Sequence, residues 1–261
     1  MKNYDELDFT DDFMFGKVME DKSLCKDVLE CILQRHIEKL EDLTPQREFR
    51  YTADGKPIKL DIFTGNKHEI FDAEMQKSGK QSTENLNLPR RARFYQSSID
   101  TDLMNKGMRY QDLPDSNIIF ICTFDPFKKG KALYEFREIC TDEPQIELAN
   151  GTTKIFCNSC YTGEDIPQGL RDFYNYLKNH IVTNKLTARI ESAVKEARLN
   201  EKWRSQYMKE KLIFMDYKEE GRAEGFAEGR AEERKNTLKE KKRADAAEAR
   251  VRELEKMLAK S

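Results

Sequence analysis

The chain lacks the features that mark membrane, secreted and strongly basic proteins. Its longest apolar stretches, IIFIC at 118–122 and LIFM at 212–215, are far too short to span a bilayer. Residues 1–13 are acidic and do not follow the basic-then-apolar order of a signal peptide. The formal net charge is only −2, so any surface that binds a polyanion has to be a local patch. These absences predict a cytoplasmic protein.

Cysteine and histidine are also scarce, and their spacing argues against zinc. The 261 residues include six cysteines and three histidines. Only Cys157 and Cys160 form a C-x-x-C pair, and no second pair or suitably spaced histidine follows. Structural zinc sites almost always have four such ligands. The sequence therefore predicts reduced, partly buried thiols.

Hydrophobic periodicity divides the first 183 residues into helices and strands. The run SNIIFICTF at 116–124 is almost wholly apolar, as in a strand buried on both faces. An Asp-Gly turn is predicted at 54–55 and a polar loop at 77–88. Helices are predicted at 10–40, 89–106 and 167–181, and strands at 46–53, 57–64, 68–76, 116–124, 131–140 and 152–161. This order predicts an α/β fold built around one mixed sheet.

The composition changes near residue 184, where proline disappears and the pattern becomes helical. We therefore divide the chain into a domain at 1–183 and a helical tail at 184–261. The tail contains three copies of a Glu-Gly-x-Ala repeat at 220–231. Three glycines cost a lone helix roughly 3 kcal/mol relative to alanine, so this helix is weak alone.

The repeat also suggests how the tail could gain stability. Glycines four residues apart advance about 400° around a helix, so they stay near one face and allow another backbone to approach. Small or apolar residues follow at the 3-4 spacing of a short coiled-coil seam, at positions 244, 247, 251, 254 and 258. The pattern predicts a homodimer formed through residues 220–261. A frayed tail is the competing interpretation.

Polar side chains interrupt two apolar runs within KLDIFTGNKHEIFDAEMQ at 59–76. Folding at the intervening turn makes the runs antiparallel, so Asp61 and Glu74 can approach across adjacent strands. Gln76 lies two residues beyond Glu74 and shares its face. Buried carboxylates need a cation or a metal, and two of them with an amide suit Mg²⁺. The competing interpretation is a solvated, idle pair of acids at strand ends.

A basic patch lies at the start of the helix that follows Pro89. It consists of Arg90, Arg91, Arg93 and Tyr95, and Arg91 and Tyr95 share one face because they are four residues apart. Beside a metal site, such a patch would contact the phosphate backbone of DNA. A solvated basic turn balanced by nearby acids is equally open, and Phe94 is assigned to the core.

The pairing of LD at 60–61 with AEMQ at 73–76 resembles the catalytic motif of the PD-(D/E)xK nuclease superfamily. More particularly, it resembles the branch of recombination-promoting nucleases and transposases. TDDFMFGKVM at 10–19 is similar to the first helix of that branch, and 90–127 is similar to the helix, turn and buried strand that follow its hairpin. The glycine repeat at 221–229 is similar as well. The resemblance implies a restriction-endonuclease-like sheet flanked by helices, with a long helical C-terminal extension.

The resemblance also implies roles for individual residues. Asp61 and Glu74 would bind Mg²⁺ or another divalent cation. Asp12 and Glu20 of the first helix are candidates for a third ligand, and capping or solvation is the competing interpretation for both. Gln76 occupies the place where the wider superfamily has lysine. Its neutral amide can orient water but cannot supply a cation.

Two lysines follow the motif and are candidates for the missing charge. Lys80 lies in the predicted loop, and Lys77 is expected to point to the opposite face of the strand. We therefore assign Gln76, together with Asp61 and Glu74, as the catalytic residues.

The sequence thus predicts a Mg²⁺-dependent DNA endonuclease that hydrolyses phosphodiester bonds and promotes recombination or transposition. The alternative is a catalytically degenerate nuclease fold that acts as an assembly protein through its helical tail. A nuclease directed at RNA is a third hypothesis, because metal-assisted hydrolysis suits either polymer.

Overall fold

The structure is a computed structural model that describes residues 2–49, 58–77 and 87–258. The Asp-Gly turn predicted at 54–55, most of the loop predicted at 77–88, and Lys80 lie outside these residues. The chain divides into two compact units, Lys2–Arg204 and Ser205–Ser261.

The helices and strands alternate along the chain as the periodicity predicts. In chain order they are α1 (Asp12–Val18), α2 (Lys22–Leu33), β1 (Asp42–Phe49), β2 (Ile58–Gly65), β3 (Glu69–Gln76), α3 (Leu88–Asn105), β4 (Asp115–Cys122), β5 (Leu133–Phe136), β6 (Thr152–Asn158), α4 (Gln168–Asn179), α5 (Lys185–Leu199) and α6 (Glu201–Leu258).

The single helix predicted at 10–40 is wrong, because two helices occupy that segment. The Asp21 side chain accepts hydrogen bonds from the backbone N–H groups of Ser23 and Leu24, so it caps a new helix at α2. Gln34 then adopts a left-handed conformation with φ of 53°, and the helix ends there. The break orients α1 independently of α2.

Within the described residues the strands form one six-stranded mixed sheet in the order β1-β2-β3-β4-β6-β5. Antiparallel pairs join β1 to β2, β2 to β3 and β5 to β6, whereas β3–β4 and β4–β6 are parallel. Pro45 falls inside β1, which is tolerated because β1 is an edge strand. The predicted hairpin of β2 and β3 is confirmed, with Asn66 accepting hydrogen bonds in its turn.

Helices cover both faces of the sheet. Helix α3 packs its apolar side onto the even-numbered residues of β4, including Ile118 and Phe120. The alternate residues Ile119 and Ile121 are fully buried on the other face. There α1 contacts β1, β2 and β3, while α2, α4 and α5 pack together. The predicted α/β fold is confirmed.

The second unit consists of most of α6, a continuous helix that ends at Leu258. The predicted long helical extension is therefore confirmed. A Cβ atom added at Gly221, Gly225 or Gly229 would meet nothing within 4 Å, so that stripe faces open space. Among residues 2–49, 58–77 and 87–258, no helix is both long enough and apolar enough to cross a membrane.

Candidate active site

The β2–β3 hairpin fixes two carboxylates opposite each other. The paired part of the hairpin ends at Ile62 and Ala73, and Asp61 and Glu74 are the next residues of the two strands. The Asp61 backbone N–H donates to Glu74 Oε1 over 2.8 Å. The Met75 backbone N–H donates to Asp61 Oδ2 over 3.1 Å. Each acid is thus held by the main chain of the strand opposite.

A third acid, Asp72, lies beside this pair. Asp72 and Glu74 are two residues apart on β3 and therefore share a face, and their side chains are 0% and 2% exposed. No hydrogen-bond donor in the described part of the chain reaches either oxygen of Asp72. Its carboxyl lies close to that of Glu74, and burial raises the pKa of both.

Burial and mutual repulsion raise the pKa of all three carboxyls. Burial is the largest cause in each case. The charge of Glu74 raises the pKa of Asp61 further, Asp61 acts in the same way on Asp72, and Asp72 acts on Glu74. A cation bound here would reduce the repulsion between the carboxylates and favour their charged forms.

The Arg91 guanidinium from α3 reaches the same place. Its Nη2 lies 3.2 Å from Glu74 Oε2, and its Nη1 donates to Gln76 Oε1 over 2.8 Å. Nη2 also donates to the Tyr95 hydroxyl over 2.8 Å. The guanidinium carbon lies 5.4 Å from the ring centroids of both Tyr95 and Phe120. Burial raises the pKa of Tyr95 to about 12, so its hydroxyl stays neutral.

Gln76 uses both ends of its amide in these contacts. Its Oε1 accepts from Arg91, and its Nε2 donates to the Met75 carbonyl over 2.8 Å. The structure therefore brings Asp61, Glu74 and Gln76 together, as the sequence predicts.

The residue next to the motif, Lys77, points elsewhere. Its Nζ donates to Thr10 Oγ1 over 2.7 Å and lies 3.3 Å from the carboxylates of Asp8 and Asp11. This side chain ties the end of β3 to the segment before α1. The prediction that it faces away from the acids agrees with these contacts.

The two candidates for a third metal ligand separate clearly. Asp12 is the first residue of α1, which contacts β2 and β3, and its charge adds to the rise in the pKa of Asp61. Burial raises the pKa of Asp12 itself. Glu20 instead forms an ion pair of 2.9 Å with Lys17. Within the described residues, no group of three or more His, Cys, Asp or Glu side chains stands ready to hold a metal. Water and substrate oxygens would have to complete the coordination offered by Asp61 and Glu74.

The basic patch of α3 divides between two faces. Arg91 and Tyr95 turn toward the acids, whereas Arg90 and Arg93 are exposed. Phe94 is 55% exposed, so its assignment to the core is wrong. Leu88, Ala92, Tyr95 and Ile99 form the buried stripe of this helix, and Phe94 lies off it.

Asp72 and the inward direction of Arg91 are the two features that sequence reasoning missed. The alternation of a strand could have revealed Asp72, because it lies two residues before Glu74. The direction of Arg91 depends on how α3 rotates against the sheet, and the local sequence carries no clear signal of that.

Residues 6–157 match the model of a family described as PD-(D/E)XK nuclease family transposase. This match covers more than half of the chain and includes the three acids, Gln76 and α3. Neither the curated proteins nor the solved structures compared with the chain gave a match.

Proposed function

The chain belongs to the PD-(D/E)XK nuclease family of transposases, and on that basis we propose that it is a divalent-metal-dependent DNA endonuclease. It hydrolyses phosphodiester bonds and thereby promotes recombination or transposition. The observation that carries this proposal is the Asp61–Glu74 pair, in which the main chain of the opposite strand fixes each carboxylate and Glu74 is almost fully buried.

The residues present fit a hard divalent cation. The donors are carboxylate oxygens, and Mg²⁺ is commonly held by one or two carboxylates with water and substrate phosphate. Asp72 adds a third carboxyl beside this pair, fully buried and without donors among the described residues. Asp61 and Glu74 would hold the ion, and Asp12 lies on α1, which contacts β2 and β3.

Hydrolysis requires a water oxygen to bond to phosphorus while the bond from phosphorus to the leaving oxygen breaks. When bound, a divalent cation lowers the pKa of such a water and neutralises charge on the phosphate. The chain's own contribution is placement. The Met75 and Asp61 N–H groups hold the two carboxylates before substrate arrives, so little reorganisation accompanies the reaction.

The exposed side of α3 supplies contacts to the substrate backbone. Arg90 and Arg93 lie on the same helix as Arg91 but face solvent. Phosphate contacts of this kind position a duplex without reading its sequence. The two arginines give a local basic patch on the exposed side of α3, in a chain whose net charge is −2.

The tail supplies self-association in this proposal. The glycine stripe of α6 has open space around it, and the exposed side chain of Phe226 lies within the same repeat. A partner helix from a second copy would bury these groups and recover the helix propensity lost at the glycines. We therefore propose a homodimer formed through residues 220–261.

A plasmid-nicking assay tests the catalytic proposal. Wild-type protein should nick supercoiled DNA with Mg²⁺ and not with EDTA, and Asp61→Asn should lose the activity. Asp142→Asn is the matched control, because Asp142 lies exposed in the loop after β5. An inactive wild type would favour the degenerate, assembly-only alternative. Cleavage of RNA but not DNA would redirect the proposal to RNA.

A further inference from the structure

The positive charge beside Glu74 is carried by Arg91 on α3, not by a residue of β3, the strand that carries the motif. Burial raises the pKa values of Asp61, Asp72 and Glu74, and the charge of Arg91 partly offsets that rise in all three acids. Its side chain is 31% exposed, while the carboxylate it pairs with is 2% exposed. The guanidinium thus stands between the buried acids and solvent.

The contacts of Arg91 fix the guanidinium and leave one of its N–H donors without a partner among the described residues. A guanidinium has five N–H donors. One Nη1 donor is bound by Gln76, the two Nη2 donors by Glu74 and Tyr95, and Nε lies 3.3 Å from the Tyr95 hydroxyl. The second Nη1 donor has no partner in the described part of the chain. Stacking on Tyr95 and Phe120 holds the plane of the group.

We propose that Arg91 is a catalytic residue of this nuclease, whose second Nη1 N–H binds a non-bridging oxygen of the scissile phosphate beside Asp61 and Glu74. This inference rests on the proposed nuclease function. A fixed, partly buried guanidinium stabilises the charge that develops on the phosphate more strongly than a solvated cation would. Gln76 then serves as the positioning residue that aims the guanidinium.

Moving the charge tests this proposal more sharply than removing it. Arg91→Gln should lower the single-turnover cleavage rate about 100-fold, the size typical of losing one preorganised donor. The double variant Gln76→Lys/Arg91→Gln returns a cation to the same site from β3 and should recover to within about tenfold of wild type. Lys106→Gln is the control, because Lys106 is exposed at the far end of α3.

Metal binding provides a readout that does not depend on cleavage. Removing a cation next to Glu74 reduces repulsion of a divalent ion, so Arg91→Gln should bind Mn²⁺ at least as tightly as wild type in a calorimetric titration. Slower cleavage with retained Mn²⁺ binding is the signature of a catalytic role. A site that had merely collapsed would lose both, and that result would overturn the proposal.

The remaining outcomes separate this inference from the function on which it rests. If wild type cleaves DNA and Arg91→Gln cleaves equally well, Arg91 is not catalytic and the nuclease proposal stands. A double variant no faster than Arg91→Gln would also refute the charge role. If wild type fails to cleave nucleic acid with metal, the proposed function is wrong and the inference falls with it.

Discussion

The C-terminal end of β3 and the helix α6 both carry many charges, but these charges lie in opposite surroundings. On β3, Glu74 is 2% exposed and pairs with the Arg91 guanidinium. On the helix, Arg250 and Glu253 form a 2.7 Å pair whose side chains are 68% and 57% exposed. Water and salt screen the helical pair, so it contributes little.

Buried charges at the end of β3 restrict what that site can bind, whereas the exposed charges of α6 impose no such restriction. Leaving a buried carboxylate without a partner costs free energy. The contacts of Glu74 therefore limit which ligands the site can bind. The tail satisfies its charges in solvent and leaves its glycines uncovered. The proposed self-association of the tail would therefore depend on what packs against the glycines rather than on its ion pairs.

The largest effect should follow from removing one buried carboxylate. Glu74→Gln keeps an oxygen for the Asp61 N–H but removes a charge that holds the cation, so nicking should fall at least about 1,000-fold. The fold should survive, because one of three repelling acids becomes neutral. The check is plasmid nicking alongside urea unfolding, with exposed Glu143→Gln as control. Activity above a tenth of wild type would remove Glu74 from the site.

Truncation after Lys218 should change assembly without changing the first unit. It removes the glycine stripe and the 244–258 seam, so a dimer at tens of micromolar should become a monomer. Sedimentation velocity at matched concentrations measures this. A full-length monomer, or a truncated chain that still dimerises, would show that residues 220–261 do not mediate dimerisation.

A smaller effect is expected on the outer face of α3. Arg90→Gln combined with Arg93→Gln should weaken DNA binding about three- to tenfold at low salt. The slope of log K against log salt should fall by about 1.8, because each phosphate contact contributes about 0.9. Lys106→Gln/Arg109→Gln removes the same charge elsewhere and should leave the slope unchanged. Equal slopes in all three proteins would exclude these contacts.

The smallest effect concerns stability at Asp72. Burial raises the pKa of the Asp72 carboxyl in the folded protein. The contribution of this group to folding stability is therefore complete below its unfolded pKa near 4. That contribution is lost as the pH rises toward the folded pKa. Asp72→Asn removes that loss and gives Glu74 an N–H donor. The variant should gain about 1 kcal/mol over wild type at pH 8 and less at pH 5 in urea unfolding. A gain that shrinks with rising pH would contradict this sign.

Much of the sheet and half of the site follow from local sequence. The alternation within 59–76 predicts the hairpin, and its register brings Asp61 to Glu74. The same alternation places Gln76 on the face of Glu74. Both inferences need only the geometry of paired strands. The parallel pairing of β3 with β4 adds no new catalytic residue.

What escaped prediction depends on contacts distant in sequence. Arg90, Arg91 and Arg93 look alike along the chain, and only the rotation of α3 on the sheet turns Arg91 inward. The same rotation turns Tyr95 inward and Phe94 outward, which reverses the expectation for Phe94. The break before α2 was more accessible, since Asp21 precedes the helix as an ordinary cap.

We propose that Asp61 of β2 and the buried Glu74 of β3 hold a divalent cation. Calorimetric titration of Mn²⁺ into wild type and Asp61→Asn tests it directly, since Asn keeps an oxygen for the Met75 N–H but removes the charge. We expect saturable binding of one ion by wild type and at least about a hundredfold weaker binding by the variant. Equal affinity in the two proteins, or no binding by wild type, would contradict the claim.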